Sequence, residues 1–126
     1  MKTVLLYNIS GKKAIDIKMI CHKLRIPFAE VTEEHYGYKL SQVLGLTPES
    51  APDKGESFTD EMLYIYNLTE LELDKLLSQL RRKKAIVSLK AVATETNLCY
   101  NSYELYKEIS AEHKAMQNGE NLHNQT

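Results

Sequence analysis

Several polar residues of this 126-residue chain have the types and positions needed to hold a small anion. Each follows a short apolar run, where a strand is predicted to end and a turn or helix to begin. The candidate ligand-binding residues are Asn8, Ser10, Lys12, Asn67, Lys90, Thr94 and Asn97. Hydroxyl, amide and ammonium groups beside the free N–H groups of a helix N-terminus suit a phosphate or a carboxylate.

An alternative interpretation of these residues is purely structural. Ser10 is an ordinary residue for a helix N-cap, and Asn8 and Asn67 are ordinary turn residues. The sequence leaves both interpretations open for this group of side chains.

Other kinds of chemistry find no support in the sequence. It contains no G-x-x-x-x-G-K-[ST] run and no G-x-G-x-x-G run, so the common phosphate and dinucleotide motifs are absent. Asn8 and Asn67 stand where a phosphoacceptor domain would place aspartates. Cys21 and His22 are adjacent, so on a helix they point apart and do not chelate one ion together. Cys99 lacks a nearby base in the sequence. We therefore predict no catalytic residue, no metal site and no cofactor.

The composition excludes some partners. The formal net charge is -1, whereas a nucleic-acid binder usually carries a basic excess. No apolar run approaches the roughly 20 residues that span a bilayer, and the apolar run near Met1 is too short for a signal peptide. The two cysteines are typical of reduced thiols. These features predict a cytoplasmic protein that binds neither nucleic acid nor membranes.

Hydrophobic patterning predicts two copies of a strand–helix–strand–helix unit. Apolar runs at 4–9 and 62–68 are predicted strands, and each ends in Tyr-Asn followed by an aliphatic and a hydroxyl residue. Amphipathic helices follow, the second after a Thr69–Glu72 capping box. Shorter strands are expected at 28–31 and 85–92, and further helices at 33–44 and from about 101.

The predicted fold is one α/β domain over residues 1–116. Its repeat halves are 1–46 and 60–116, the linker loop is 47–59, and 117–126 is a disordered tail. Alternating strands and helices favour a mostly parallel four-stranded sheet in the order 2-1-3-4, with helices on both faces. The symmetry axis should then pass between strands one and three, and the candidate residues should meet at the carboxyl ends of these strands. The alternative is a ferredoxin-like α+β sheet.

The second half carries a more specific pattern. The run from Leu89 to Asn97 reads LKAVATETN, and the segment before the third strand reads FTDEM. This stretch resembles a bacterial family known as domain of unknown function 3783, over about Glu61 to Met116. In that family an aromatic residue, usually tryptophan, follows the asparagine, and Tyr100 is the nearest candidate here. The resemblance implies a small bacterial α/β domain and brings no activity.

Two functions remain open. The leading hypothesis is a non-enzymatic regulatory or binding module, forming a homodimer through a face that carries several of the eight tyrosines. The second is an enzyme or sensor that binds a small anionic metabolite at the helix starts.

Overall fold

A computed structural model describes residues 1–124 of the protein, and their side chains as far as residue 117. The elements are, in chain order, β1 (Thr3–Tyr7), α1 (Gly11–Lys23), β2 (Phe28–Val31), a 3₁₀ turn (Glu33–His35), α2 (Leu40–Val43), β3 (Met62–Tyr66), α3 (Glu70–Arg82), β4 (Leu89–Val92), a second 3₁₀ turn (Asn97–Cys99) and α4 (Ser102–Asn124). Both predicted copies of the strand–helix unit are therefore present.

The strands form a single sheet in the order β2-β1-β3-β4, which confirms the predicted α/β fold and strand order. β1 pairs with β2 and β3 pairs with β4 in parallel, so most of the sheet is parallel as expected. The central pair, β1 and β3, is antiparallel. A crossover through one helix would have kept these strands parallel. Here the chain from 44 to 61 has no regular element and enters β3 in the opposite direction.

The chain divides into two compact units, and both repeat halves contribute to each. Unit 1 comprises 1–33 and 59–94, and unit 2 comprises 34–58 and 95–126. In unit 1, α1 and α3 pack against the sheet around a core that includes Leu6, Ile17, Leu63 and Leu76. Residues of the opposite sheet face, such as Tyr64, are also fully buried. Burial of both faces agrees with the continuous apolar character of β1 and β3.

The first segment of unit 2, residues 34–58, contains only short elements. The predicted helix over 33–44 is instead a 3₁₀ turn and the four-residue α2. The break falls around Gly37, where a Cβ would lie 2.1 Å from the Asp53 carbonyl oxygen. Only glycine allows this close approach of two backbone segments. The amide N–H of Asp53 also donates to the Gly37 carbonyl, at 3.0 Å.

The last helix, α4, extends to Asn124, past position 116 where the apolar spacing ends. The predicted tail, 117–126, lies partly outside the described residues, and its disorder stays a prediction. Of the residues that the structure describes, none forms a helix long and apolar enough to cross a membrane.

Contacts within unit 1 repeat with a shift of 59 positions from β1 to the turn after α1, as from Asn8 to Asn67, and β2 corresponds to β4 with a shift of 62. Leu5 of β1 pairs with Tyr64 of β3, its own equivalent under this shift. The symmetry axis therefore passes between the two central strands at this pair, as the sequence predicted. The axis relates β1, α1 and β2 to β3, α3 and β4.

Two ion pairs obey the same symmetry with their charges exchanged. Lys13 at the start of α1 contacts Glu61 before β3, with Nζ and Oε1 2.6 Å apart. Glu72 at the start of α3 contacts Lys2 before β1. Each pair therefore fastens one helix start to the other half of the sheet.

The Lys2–Glu72 pair should make the protein sensitive to acid. The hydrogen bond from Lys2, followed by the backbone hydrogen bond at Thr69, lowers the pKa of Glu72 from 4.5 to about 2. Because the folded-state pKa is lowered, this contribution is complete above the unfolded pKa and is lost as pH falls toward 2. We expect Glu72→Gln to flatten the decrease in unfolding free energy between about pH 4.5 and 2, measured by urea unfolding. Glu70→Gln, in the same helical turn, is the control and should keep the steeper decrease.

Candidate functional site

The antiparallel central pair separates the two asparagines that were expected to meet. Asn8 follows the carboxyl end of β1, and Asn67 follows the carboxyl end of β3. Because β1 and β3 run in opposite directions, these carboxyl ends lie at opposite ends of the central strand pair. The structure therefore does not bring Asn8, Ser10 and Lys12 together with Asn67 in one site.

Both asparagines make equivalent structural contacts. The side-chain amide of Asn8 donates to the Asp60 carbonyl at 3.1 Å, and that of Asn67 donates to the Met1 carbonyl at 2.7 Å. Both backbones adopt left-handed conformations, with φ of 58° and 60°. Asparagine tolerates this conformation better than most residues. Each asparagine side chain thus connects the end of one central strand to the segment that precedes the other central strand.

The start of α1 keeps some of the features of an anion site. Ser10 is exposed at the N-cap position and makes no side-chain capping hydrogen bond. Lys12 is also exposed. By contrast, Thr69 at the start of α3 accepts a hydrogen bond from the Glu72 N–H, which confirms the predicted capping box.

Lys90 lies on the edge strand β4 and has cations as neighbours. Its ammonium group donates to the Val87 carbonyl at 2.6 Å. Burial, and then repulsion by Arg81, lowers the pKa of Lys90. Arg81 contacts the Ser78 hydroxyl at 3.4 Å. No carboxylate pairs with Lys90 or Arg81 among the described residues.

The remaining candidates lie in different units. Thr94 is exposed and ends unit 1, whereas Asn97 begins the second 3₁₀ turn in unit 2. The Asn97 carbonyl accepts the Tyr100 N–H at 3.1 Å. The assignment of these residues to a ligand stays a prediction.

The structure adds a groove of about 610 Å³ that the sequence interpretation missed, beside the edge strand β2. Its lining includes Met19 of α1, which is 64% exposed, and Phe28 of β2, which is 37% exposed. Two basic side chains also line it: Lys23 at the end of α1 and Lys83 directly after α3. The sequence did contain a signal for an exposed apolar surface on α1. Ile15 and Met19, four positions apart, lie outside the buried face of this helix and are both exposed.

The outer edge of β2 is open among the residues that the structure describes. The Val4 N–H donates to the Pro27 carbonyl, and Val4 pairs with Phe28. In a parallel ladder with this pattern, the N–H and C=O groups of Phe28 and Glu30 point away from β1. Their side chains point to the face covered by α1, where Glu30 contacts Lys18 at 2.7 Å. Backbone hydrogen-bonding groups and an apolar groove therefore lie side by side.

The other edge of the sheet differs in chemistry. Phe28 pairs with Val4 of β1, and Lys90 pairs with Leu63, the equivalent residue of β3. Lys90 thus occupies on β4 the place that Phe28 has on β2. A lysine on an edge strand opposes strand pairing. The repeat has therefore diverged into one apolar edge and one basic edge.

The tyrosines predicted to form an interface pack in part against one another within unit 2. Tyr36 is 2% exposed and stacks on Phe58, with ring centroids 4.8 Å apart. Phe58 stacks on Tyr106 at 4.2 Å, and Tyr103 meets the Tyr36 ring edge-on. These rings stabilise unit 2 and leave less of the tyrosine face for a partner.

The metal-ligating side chains and the two thiols were the other groups that the sequence singled out for chemistry. Among them, no three His, Cys, Asp or Glu side chains are grouped to hold a metal ion. Cys21 is buried, and burial raises its thiol pKa to about 11, so it stays protonated at neutral pH. Cys99 is exposed in the second 3₁₀ turn.

The fold and its two unequal sheet edges define a class of protein: an α/β module with a mixed sheet and an internal pseudo-two-fold axis. A family model described as Domain of unknown function (DUF3783) matches residues 61–116, which span β3, α3, β4 and most of α4. This match confirms the resemblance noted from the sequence of that segment. No curated protein and no solved structure matches the chain.

The roles of the two asparagines can be tested through stability. Asn8→Ala and Asn67→Ala should each destabilise the protein by roughly 1–3 kcal/mol, because each loses a hydrogen bond and retains a left-handed backbone. Asn→Gly at either position should cost less, since glycine adopts this conformation freely. Urea unfolding measures both effects. If either alanine variant is as stable as the wild type, that asparagine does not tie the strand end.

Proposed function

We propose that this protein is a non-enzymatic binding module and that its binding surface is the open edge of β2 with the adjoining groove. The ligand would be an extended polypeptide segment that adds to the sheet as a further strand. The observation that carries this proposal is the position of the groove, between Met19 and Phe28 and beside outward-facing backbone groups. Strand addition takes its affinity from the backbone and its specificity from pockets for alternate side chains.

The charge of the surface indicates the kind of segment. Lys23 and Lys83 line the groove, and Lys18 pairs with Glu30 at the same edge. Asp16 is the one acidic residue in the lining. A strand that alternates apolar and acidic side chains therefore fits, because its apolar side chains would meet Met19 and its carboxylates the lysines. Action in the bacterial cytoplasm is part of this proposal, and the two free cysteines, Cys21 and Cys99, agree with it.

Binding of a synthetic peptide tests this function. The probe is a capped hexapeptide alternating valine or phenylalanine with glutamate, labelled for fluorescence anisotropy, and a lysine-containing counterpart is the comparison. We expect the glutamate peptide to bind at least about tenfold more tightly than the lysine peptide. Met19→Glu should abolish this difference, because it places a carboxylate in the groove.

Ile15→Glu is the matched control, because Ile15 is exposed on the same helix and does not line the groove. This variant should bind the glutamate peptide like the wild type. Equal binding of both peptides, or undiminished binding by Met19→Glu, would contradict the proposed surface.

A second candidate function, sensing or converting a small anionic metabolite, is favoured by Lys90 and Arg81. Burial lowers the pKa of Lys90, and the repulsion between these two cations lowers it further, so a bound anion would relieve the repulsion. Inorganic pyrophosphate is a simple probe. It should raise the melting temperature of the wild type and of Lys84→Ala, but not of Lys90→Ala. An equal rise in all three proteins would contradict a site at Lys90.

A further inference from the structure

We propose that the strand which occupies the β2 edge is β2 of a second copy of this chain, so that two sheets join into one across a two-fold axis. This inference rests on the proposed function, since it names the partner of the same surface. Three features of unit 1 support it: the spacing of the outward-facing backbone groups, the small residue between them, and the order of charges along the segment.

The backbone of β2 is self-complementary. Phe28 and Glu30 present their N–H and C=O groups outward, and Ala29 lies between them. In an antiparallel pair of β2 strands with the axis at Ala29, Phe28 of one copy faces Glu30 of the other. Two such residues exchange both backbone hydrogen bonds. The pairing repeats on both sides of the axis, as a closed two-fold contact requires.

The side chains allow the close approach that this pairing needs. Residues on the axis would form a pair without mutual hydrogen bonds, whose Cα atoms lie about 4.5 Å apart. Ala29 is exposed and has the smallest side chain that a strand carries besides glycine. Phe28 lies on the face that α1 covers. In the pair, the Phe28 side chain of each copy would lie beside the groove of its partner. The exposed apolar surface around Met19 and Phe28 would then be partly covered.

The order of charges favours the antiparallel direction. The basic residue Lys23 precedes β2 and lines the groove, whereas Glu30 lies in β2. In a pair centred on Ala29, Glu30 of one copy lies opposite Phe28 of the other, and Phe28 also lines the groove. Glu30 would therefore lie near the partner subunit's Lys23, and the same contact recurs on the other side of the axis. Opposite charges across adjacent strands stabilise the pair, and like charges destabilise it.

The opposite edge of the sheet offers a poorer surface. β4 carries Lys90 at the place equivalent to Phe28, and two copies paired there would bring lysines into the contact region. The duplication has thus left one edge suited to self-association and one edge opposed to it.

The first experiment removes an outward-facing donor. Glu30→Pro deletes an N–H group that faces away from β1, so the native ladder is retained. Analytical ultracentrifugation should give twice the mass of one chain for the wild type and a single-chain mass for Glu30→Pro. Glu30→Gln controls for the lost Lys18 ion pair and should remain dimeric. Lys90→Pro controls for a proline on the other edge and should also remain dimeric.

The second experiment reverses charges. Lys23→Glu and Glu30→Lys should each weaken the dimer at least about tenfold, because each homodimer then has two like-charge contacts. Mixing the two variants should restore the dimer, since both contacts of the heterodimer pair opposite charges. Circular dichroism would check that each single variant is folded.

The outcomes separate this inference from the proposed function. A wild type that stays monomeric at all concentrations, yet binds the glutamate peptide, overturns the second copy as the occupant and leaves strand addition intact. A dimer that Glu30→Pro does not disrupt, or charge variants that do not recover on mixing, overturns this inference as well. If the glutamate peptide does not bind and the wild type does not dimerise, both the proposed function and this inference are overturned.

Discussion

The antiparallel pairing of β1 with β3 is the interaction on which the rest of unit 1 depends. It places Leu5 against Tyr64 and relates the two halves by an approximate two-fold axis. The ion pair of Lys13 with Glu61 and that of Lys2 with Glu72 follow from this arrangement. In each, the start of a helix is held by the segment that enters the other central strand. A parallel central pair would have removed these reciprocal contacts.

This pairing also decides where a ligand site cannot form. Residues after β1 and residues after β3 lie at opposite ends of the central pair, so the polar groups at 8–12 and at 67 are not one site. The asparagines instead close the two strand ends through backbone carbonyls. The binding surfaces proposed above lie at the outer part of each half, where symmetry does not force the two halves to be alike.

Within unit 1, the two halves differ in chemistry at those outer edges. In the first half, Met19 and Phe28 give an apolar groove with basic residues in its lining. In the second half, Lys90 and Arg81 give a basic corner. The core positions that face the axis must pack in both halves, whereas edge side chains meet solvent and tolerate change. A duplicated scaffold thus keeps its core and can acquire a different surface on each side.

The sequence by itself determined the four strands, the helices α1 and α3 and the family resemblance of residues 61–116, because these follow from local patterns. Tyr7-Asn8 and Tyr66-Asn67 marked the equivalent strand ends, and Thr69 with Glu72 marked a helix start. Strand order also followed, since the two most apolar runs belong at the centre of a sheet. Only the tertiary structure decided the direction of β3 and the location of the groove. Strand direction depends on the path of residues 44–61, which has no periodic pattern, and the groove depends on α1, β2 and α3 meeting in space.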